Sequence, residues 1–198
     1  MRICFIGDSF VNGTGDPECL GWAGRICAAA RRAGHDVTYY SLGVRRNTSG
    51  DVRDRWESEV ARRLPTEHPE YDPRVVFSFG VNDTTAEAGG TRVPPGRSLD
   101  NLRAIVTTAR RNYSVLVVGP PPMAEAEQNG RIEALCAAFA GVCAALDVPY
   151  LAVFPVLAAS PVWMREVAAG DGSHPGAAGY AELASLVRSW SPWQTWVP

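Results

Sequence analysis

Short, wholly apolar segments alternate with longer amphipathic ones along the chain, and this alternation constrains the fold more than any single motif. Residues 2–6 (Arg-Ile-Cys-Phe-Ile), 74–79 (Arg-Val-Val-Phe-Ser-Phe) and 115–119 (Val-Leu-Val-Val-Gly) are strand-length runs with almost no polar face. A strand solvated on one side would alternate apolar and polar residues, so these runs are expected to be covered on both faces. Two further segments, 37–41 and 149–154, bring the predicted strands to five. The intervening segments 21–33, 51–64, 99–112, 131–146 and 176–190 are predicted helices. Gly34 stops the first, Pro65 lies just past the second, and Leu99, Leu102, Ile105 and Val106 share one face of the third. Strands recur with helices between them about every 30–40 residues, the pattern of a parallel sheet with a helical layer on each side. The expected fold class is therefore α/β. No internal repeat, linker or low-complexity tract interrupts it, so residues 1–198 are read as one domain, long enough to fill a core.

Composition removes several kinds of function. All 19 basic residues are arginine. Without lysine there is no P-loop, no Schiff-base chemistry and no Ser/Lys dyad. The formal charge of −2 gives no basis for a nucleic-acid partner recruited by bulk charge. No run of 18 apolar residues is present, so no membrane span is expected, and no leader-like segment precedes the first strand. A cytoplasmic location is the corresponding expectation. The five cysteines, Cys4, Cys19, Cys27, Cys136 and Cys143, show no Cys-x-x-Cys spacing and are expected to be buried reduced thiols. With no His-x-x-x-His and no clustered Cys and His, neither a metal site nor a cofactor is expected.

Three small motifs carry candidate chemistry. Gly7-Asp8-Ser9 follows the first strand, Gly80-Val81-Asn82-Asp83 follows the strand at 74–79, and Asp171-Gly172-Ser173-His174 precedes the last helix. Ligands of open parallel sheets bind beyond the carboxyl ends of the strands, which is where Ser9 and Asn82 fall. The segments 84–98 and 120–130 reach the same edge and are candidates for shaping a substrate site. Ser, His and Asp are the parts of a nucleophile, its base and the acid that orients the base. Asp171, three residues before His174, can reach Nδ1 and leave Nε2 for a hydroxyl. Each residue also has an ordinary structural reading. Ser9 and Asn82 are common turn or cap residues, and His174-Pro175 is a good helix start. The strand-to-helix pattern Gly-x-Ser-x-Gly fails at Val11, which disfavours an α/β-hydrolase elbow.

Taken together and in this order, the motifs resemble those of the SGNH (GDSL) hydrolases, and the resemblance spans the whole chain. It implies a flavodoxin-like three-layer α/β/α sandwich with a five-stranded parallel sheet in the order 2-1-3-4-5. It also implies a serine esterase or lipase that needs no metal and acts on a small-molecule ester. By that resemblance Ser9 is the nucleophile, His174 the general base and Asp171 its orienting acid, while Asn82 and the Ser9 backbone N–H donate to the oxyanion. Asp8 and Asp83 are read as supports of their loops.

One stretch departs from the family pattern. Ser41-Leu42-Gly43-Val44-Arg45-Arg46-Asn47-Thr48 keeps an early glycine at Gly43, but Arg46 stands where the family places the glycine whose N–H joins the oxyanion hole. Arg46 still has a backbone N–H to offer, provided its backbone avoids a glycine-only conformation. Arg45 and Arg46 are thereby placed near the site. Either they bind a carboxylate, phosphate or sugar hydroxyl of the substrate, or they pair on the surface with Asp51, Asp54 or Glu57. Two other functions stay open at this level. One is an acyltransferase of the same fold; the other is a non-catalytic flavodoxin-like module whose loop 7–15, with Gly13 and Gly15, cradles an anion. Trp190, Trp193 and Trp196 are read as a tail packed on the domain or as an aromatic patch, and the oligomeric state is open.

Overall fold

The computed structural model describes residues 1–87 and 89–198. The chain runs β1 (Arg2–Gly7), α1 (Ser9–Asn12), α2 (Gly21–Arg32), β2 (Thr38–Gly43), α3 (Ser49–Ala61) and β3 (Pro73–Ser78). A small hairpin, β4 (Ala86–Glu87) and β5 (Gly90–Thr91), precedes α4 (Pro95–Ala109) and β6 (Ser114–Val118). The remainder is α5 (Ala126–Ala145), β7 (Tyr150–Leu151), α6 (Phe154–Ala158), α7 (Pro161–Ala169), α8 (Ala177–Ser189) and α9 (Ser191–Trp196). The main sheet has the order β2-β1-β3-β6-β7, and all its pairings are parallel. Once the hairpin's two strands are left out of the count, this is the expected order 2-1-3-4-5.

The pleat of β1 accounts for its continuous apolar sequence. Successive side chains leave opposite faces of a strand. Ile3 and Phe5 enter a core with Trp22 and Ile26 of α2 and Tyr180 and Leu183 of α8. Cys4 and Ile6 enter a second core with Trp56 of α3 and Leu102 and Ile105 of α4. Both cores exclude water from the strand, which is the three-layer α/β/α arrangement. The tryptophan tail packs onto the first core: Trp193 is buried 6.3 Å from the Phe5 ring, and Arg74 donates to the Trp196 carbonyl at 2.9 Å. Among the described residues no helix is long and apolar enough to cross a membrane.

Element boundaries depart from the sequence reading where capping overrides periodicity. The helix predicted at 51–64 begins at Ser49, because Thr48 and Asp51 form a reciprocal capping box, and it ends at Ala61. The helices predicted at 99–112 and 131–146 start four and five residues earlier, at Pro95 behind Pro94 and at Ala126 behind the Glu125 cap. The strand predicted at 149–154 pairs only at Tyr150 and Leu151, and the chain then turns into α6, with Pro155 in its first turn. Of the cysteines, Cys19 is exposed rather than buried. It lies in the turn before α2 with φ +54, outside either core.

Candidate active site

The carboxyl end of β1 presses against its neighbours and places Ser9, itself largely buried, at the floor of a cleft. A Cβ at Gly7 would lie 1.8 Å from the Ser78 carbonyl of β3. Asp8 then caps the single-turn α1, its Oδ1 accepting from the Phe10 amide at 3.0 Å, and Ser9 is the first residue of that turn. Gly43, at the end of β2, has no room for a side chain either, since a Cβ would meet the Asn12 nitrogen at 2.1 Å. β2 therefore delivers its following loop directly beside Ser9.

His174 arrives from the opposite end of the sequence, in the loop between α7 and α8. Gly172, with φ +79, turns that loop, and Gly15, with φ +90, lets it dock: a Cβ there would be 3.0 Å from His174 Cβ and 2.8 Å from the Pro175 carbonyl. The Tyr180 hydroxyl donates to the Thr14 carbonyl at 2.7 Å and ties α8 to the same place. The imidazole Nδ1 lies 2.7 Å from Asp171 Oδ2, and Nε2 lies 2.7 Å from Ser9 Oγ. An ionised carboxylate can only accept, so Nδ1 carries the proton and Nε2 of the neutral ring accepts from the Ser9 hydroxyl. Burial of the Asp171 carboxyl opposes its ionisation. The backbone amides of His174 and Ser173, each donating at 2.9 Å, and the imidazole itself outweigh this and hold Asp171 down at about 2.

The third loop brings Asn82. It sits in a 3-10 turn (Asn82–Thr84) after Gly80, whose φ of +126 only glycine takes readily. The Asn82 amide donates to the Asn47 carbonyl at 3.1 Å, which links this loop to the one after β2 and leaves a second N–H for another acceptor. Asp83 is buried behind it, accepting from the Ser49 amide at 2.7 Å and from the Ser98 hydroxyl at 2.6 Å. Asp83 thus joins its loop to α3 and α4. Burial raises its carboxyl above the ordinary value despite these bonds.

Arg46 does not avoid the left-handed region, contrary to the proviso set for it. Val44 to Asn47 close a turn, with Asn47 N donating to the Val44 carbonyl at 3.2 Å, and Arg46 is its third residue at φ +67. A type II turn requires a positive φ at that place, and the turn is what carries the chain from β2 into the Thr48 cap. Among the described residues the backbone N–H groups of Ser9 and Arg46 donate to no other protein group. The surface pairing considered for Arg45 and Arg46 does not form: Asp51 is occupied by Thr48, and Asp54 by Arg53.

Several contributors escaped the sequence reading. Arg55 donates to the carbonyls of Gly7 at 2.8 Å and Leu42 at 2.9 Å and to Asn47 Oδ1 at 2.6 Å, binding the ends of β1 and β2 together. Gln128 of α5 donates to the Val81 carbonyl at 3.0 Å and Arg131 to the Thr84 carbonyl at 2.8 Å, so α5 holds the Asn82 loop. Arg92, after the hairpin, donates to the Arg46 carbonyl at 3.2 Å. Four of these contacts, Arg55 to Gly7, Gln128 to Val81, Arg131 to Thr84 and Arg92 to Arg46, join residues 46 to 48 positions apart, so no local spacing could have revealed them. The three loops enclose a cleft of about 360 Å³ lined by Ser9, His174, Asn82, Arg45, Arg46 and Arg92, among others. Elsewhere, Cys4, Cys27 and Cys143 are pushed up to about 12 by burial, which leaves them neutral thiols.

The model of the GDSL-like Lipase/Acylhydrolase family matches residues 5–182. No curated protein sequence matches the chain. Solved structures of the same fold include a lipase/acylhydrolase from Enterococcus faecalis, 22% identical, covering 94% of this chain and 92% of its own, with TM-score 0.72. TesA is 21% identical, covers 98% of this chain and 99% of its own, and has TM-score 0.77. Axe2, an acetylxylan esterase from Geobacillus stearothermophilus, is 19% identical over 93% of this chain and 91% of its own, with TM-score 0.71.

Proposed function

The chain belongs to the GDSL-like lipase/acylhydrolase family, an ester-hydrolysing family, and from that premise we propose that it is a serine esterase whose acyl-enzyme forms on Ser9. The observation that carries this reading is the unbroken relay Asp171–His174–Ser9, two contacts of 2.7 Å, the second of which joins residues 165 positions apart in the chain. A capping serine has no need of an imidazole, and a helix-starting histidine has no need of a serine. The names of the structural neighbours, a lipase/acylhydrolase and an acetylxylan esterase, agree with the same reaction class.

The steps follow from the geometry. Ser9 Oγ attacks the acyl carbon while its proton passes to His174 Nε2, and Asp171 steadies the imidazolium. The carbonyl oxygen becomes an anion facing the free N–H groups of Ser9, Arg46 and Asn82. The bond to the leaving oxygen then breaks as His174 returns the proton to the alcohol. Water, deprotonated by the same imidazole, attacks the acyl-enzyme, and collapse releases the acid and restores Ser9. No step calls for a metal or cofactor.

The test is hydrolysis of 4-nitrophenyl esters from acetate to palmitate by the wild-type chain and Ser9→Ala. The expected result is turnover by the wild type and a loss of ~10⁴-fold or more in the variant, as when a triad nucleophile is removed. A fluorophosphonate should label Ser9 with one equivalent. Near-normal turnover in Ser9→Ala overturns the assignment.

A further inference from the structure

The cleft over Ser9 is electrostatically one-sided. Three arginines, Arg45, Arg46 and Arg92, line it against one acidic residue, Glu87, although the chain as a whole is net negative at −2. Glu87 is already paired with Arg92, Nε to Oε1 at 3.4 Å, and Arg92 also donates to the Arg46 carbonyl. Arg45 and Arg46 make no ion pair among the described residues, and Asp51, Asp54 and Glu87 are engaged by Thr48, Arg53 and Arg92. Two exposed positive charges therefore remain unmatched at the mouth of the site.

Their placement is specific. The Asn82 amide bonds the carbonyl of Asn47, the residue next to Arg46, so the cationic wall lies on the Asn82 side of Ser9. The His174 side is built differently: the Phe10 ring sits 4.9 Å from the imidazole, and Met123 is held there through the Ala124 amide on the Gly172 carbonyl. Arg46 also holds its side chain at φ +67, a conformation glycine adopts without strain and arginine does not. A backbone N–H alone would be served better by glycine at this turn, so the guanidinium needs a separate explanation. Guanidinium forks match the oxygens of carboxylates and phosphates and bind them in pairs of parallel bonds.

We infer that the natural substrate is an ester bearing a second, anionic group, a carboxylate or phosphate, and that Arg45 and Arg46 hold that group while Ser9 attacks the ester. This rests on the serine-esterase reading above. Arg92 fills a positioning part: tied to Glu87 and to the Arg46 carbonyl, it fixes the turn that presents both side chains.

The experiment compares 4-nitrophenyl acetate and butyrate with 4-nitrophenyl hemisuccinate, charged on the acyl side, and 4-acetoxybenzoate, charged on the leaving group. Each is assayed with the wild type, Arg45→Gln, Arg46→Gly and the double variant at 0.02 and 0.5 M salt. The readout is the ratio of kcat/KM for an anionic ester to that for a neutral one. The ratio should fall at least tenfold in the double variant, mainly through KM. It should also fall severalfold on adding salt to the wild type, because the arginines are exposed and screened. Whichever anionic ester shows the effect locates the charge on the acyl or the alcohol side. A ratio unmoved by both substitution and salt, with hydrolysis still lost in Ser9→Ala, overturns the anion site and leaves the esterase standing. If instead hydrolysis survives in Ser9→Ala, the esterase reading fails, and calorimetry with succinate and with inorganic phosphate decides the anion site separately. Binding weakened at least tenfold in the double variant supports it; equal or absent binding overturns it. Both arginines are exposed, so the variants should fold, and the salt comparison needs no variant.

Discussion

Asn82→Ala separates catalysis from scaffolding more sharply than any other single change. Asn82 is half-buried, and its amide donates one N–H to the Asn47 carbonyl at 3.1 Å. Deletion removes two things of different size. The link to Asn47 is a neutral, partly buried hydrogen bond worth about 1 kcal/mol of stability. For a chain of this length that lowers Tm by about 2–4 °C. The second N–H is the proposed oxyanion donor, and losing such a donor raises the barrier by about 2.7–4 kcal/mol, or about 100–1,000-fold in kcat. The interaction strengthens only as charge builds on the oxygen, so KM should stay within about threefold of the wild type. Asn82→Asp is the companion variant. It keeps the shape, offers no N–H to either acceptor and sets a negative charge against the oxyanion, so it should be at least as slow as Asn82→Ala. Steady-state kinetics on 4-nitrophenyl acetate and thermal unfolding of the same samples give both quantities. A kcat within tenfold of the wild type beside the expected drop in Tm refutes the reasoning, and Asn82 then serves only to join two loops.

Other expectations concern the groups around Ser9. Burial pushes the Asp8 carboxyl up to about 7, aided by the nearby Asp83 charge and opposed by the Phe10 amide, and its Oδ2 is buried with no partner among the described residues. A raised folded-state value means that proton binding stabilises the fold below about pH 4 and that this stabilisation is lost as pH rises through about 7. Asp8→Asn keeps the Phe10 bond and needs no charge, so its Tm should gain on the wild type between pH 4 and pH 8; a constant difference contradicts the assignment. For Asp171, held at about 2, the sign reverses: its contribution is present above the ordinary carboxylate value and is lost as pH falls toward 2. Asp171→Asn should lower kcat by about 10²–10⁴-fold with Tm changed by only a few degrees, and retention of a third of wild-type kcat would remove Asp171 from the mechanism. Gly43→Ala puts a Cβ 2.1 Å from the Asn12 nitrogen, so β2 and α1 must part. Soluble, folded protein with wild-type kcat/KM after that change would contradict the tight apposition of the two loops.

The legible part of this protein was local in character. The apolar runs of β1, β3 and β6 can be buried only between two layers, which is visible in five or six consecutive residues. The three motifs lie at the sheet edge because they directly follow strands or precede the last helix. Boundaries were less legible where a cap or a proline chose the first turn, as at Thr48, Glu125 and Pro94, because capping geometry outweighs the apolar periodicity that locates a helix's middle. The hairpin at Ala86–Thr91 and the short α6 were missed for a related reason: two-residue strands and five-residue helices have too few residues to show a period.

By itself the sequence determined the α/β class and supplied candidate residues for hydrolytic chemistry, with roles expected from family resemblance. Those properties reside in residue type, order and short spacing. Only the tertiary structure decided that His174 meets Ser9 across 165 positions, that Arg55 and Gln128 hold the loops in register, and that Arg46 accepts a left-handed backbone. It also decided that, among the described residues, Arg45 and Arg46 form no ion pair and line the cleft. The reason is physical: a side chain's partners depend on where distant segments are packed, and packing is a property of the whole sheet and its two helical layers rather than of any window of residues.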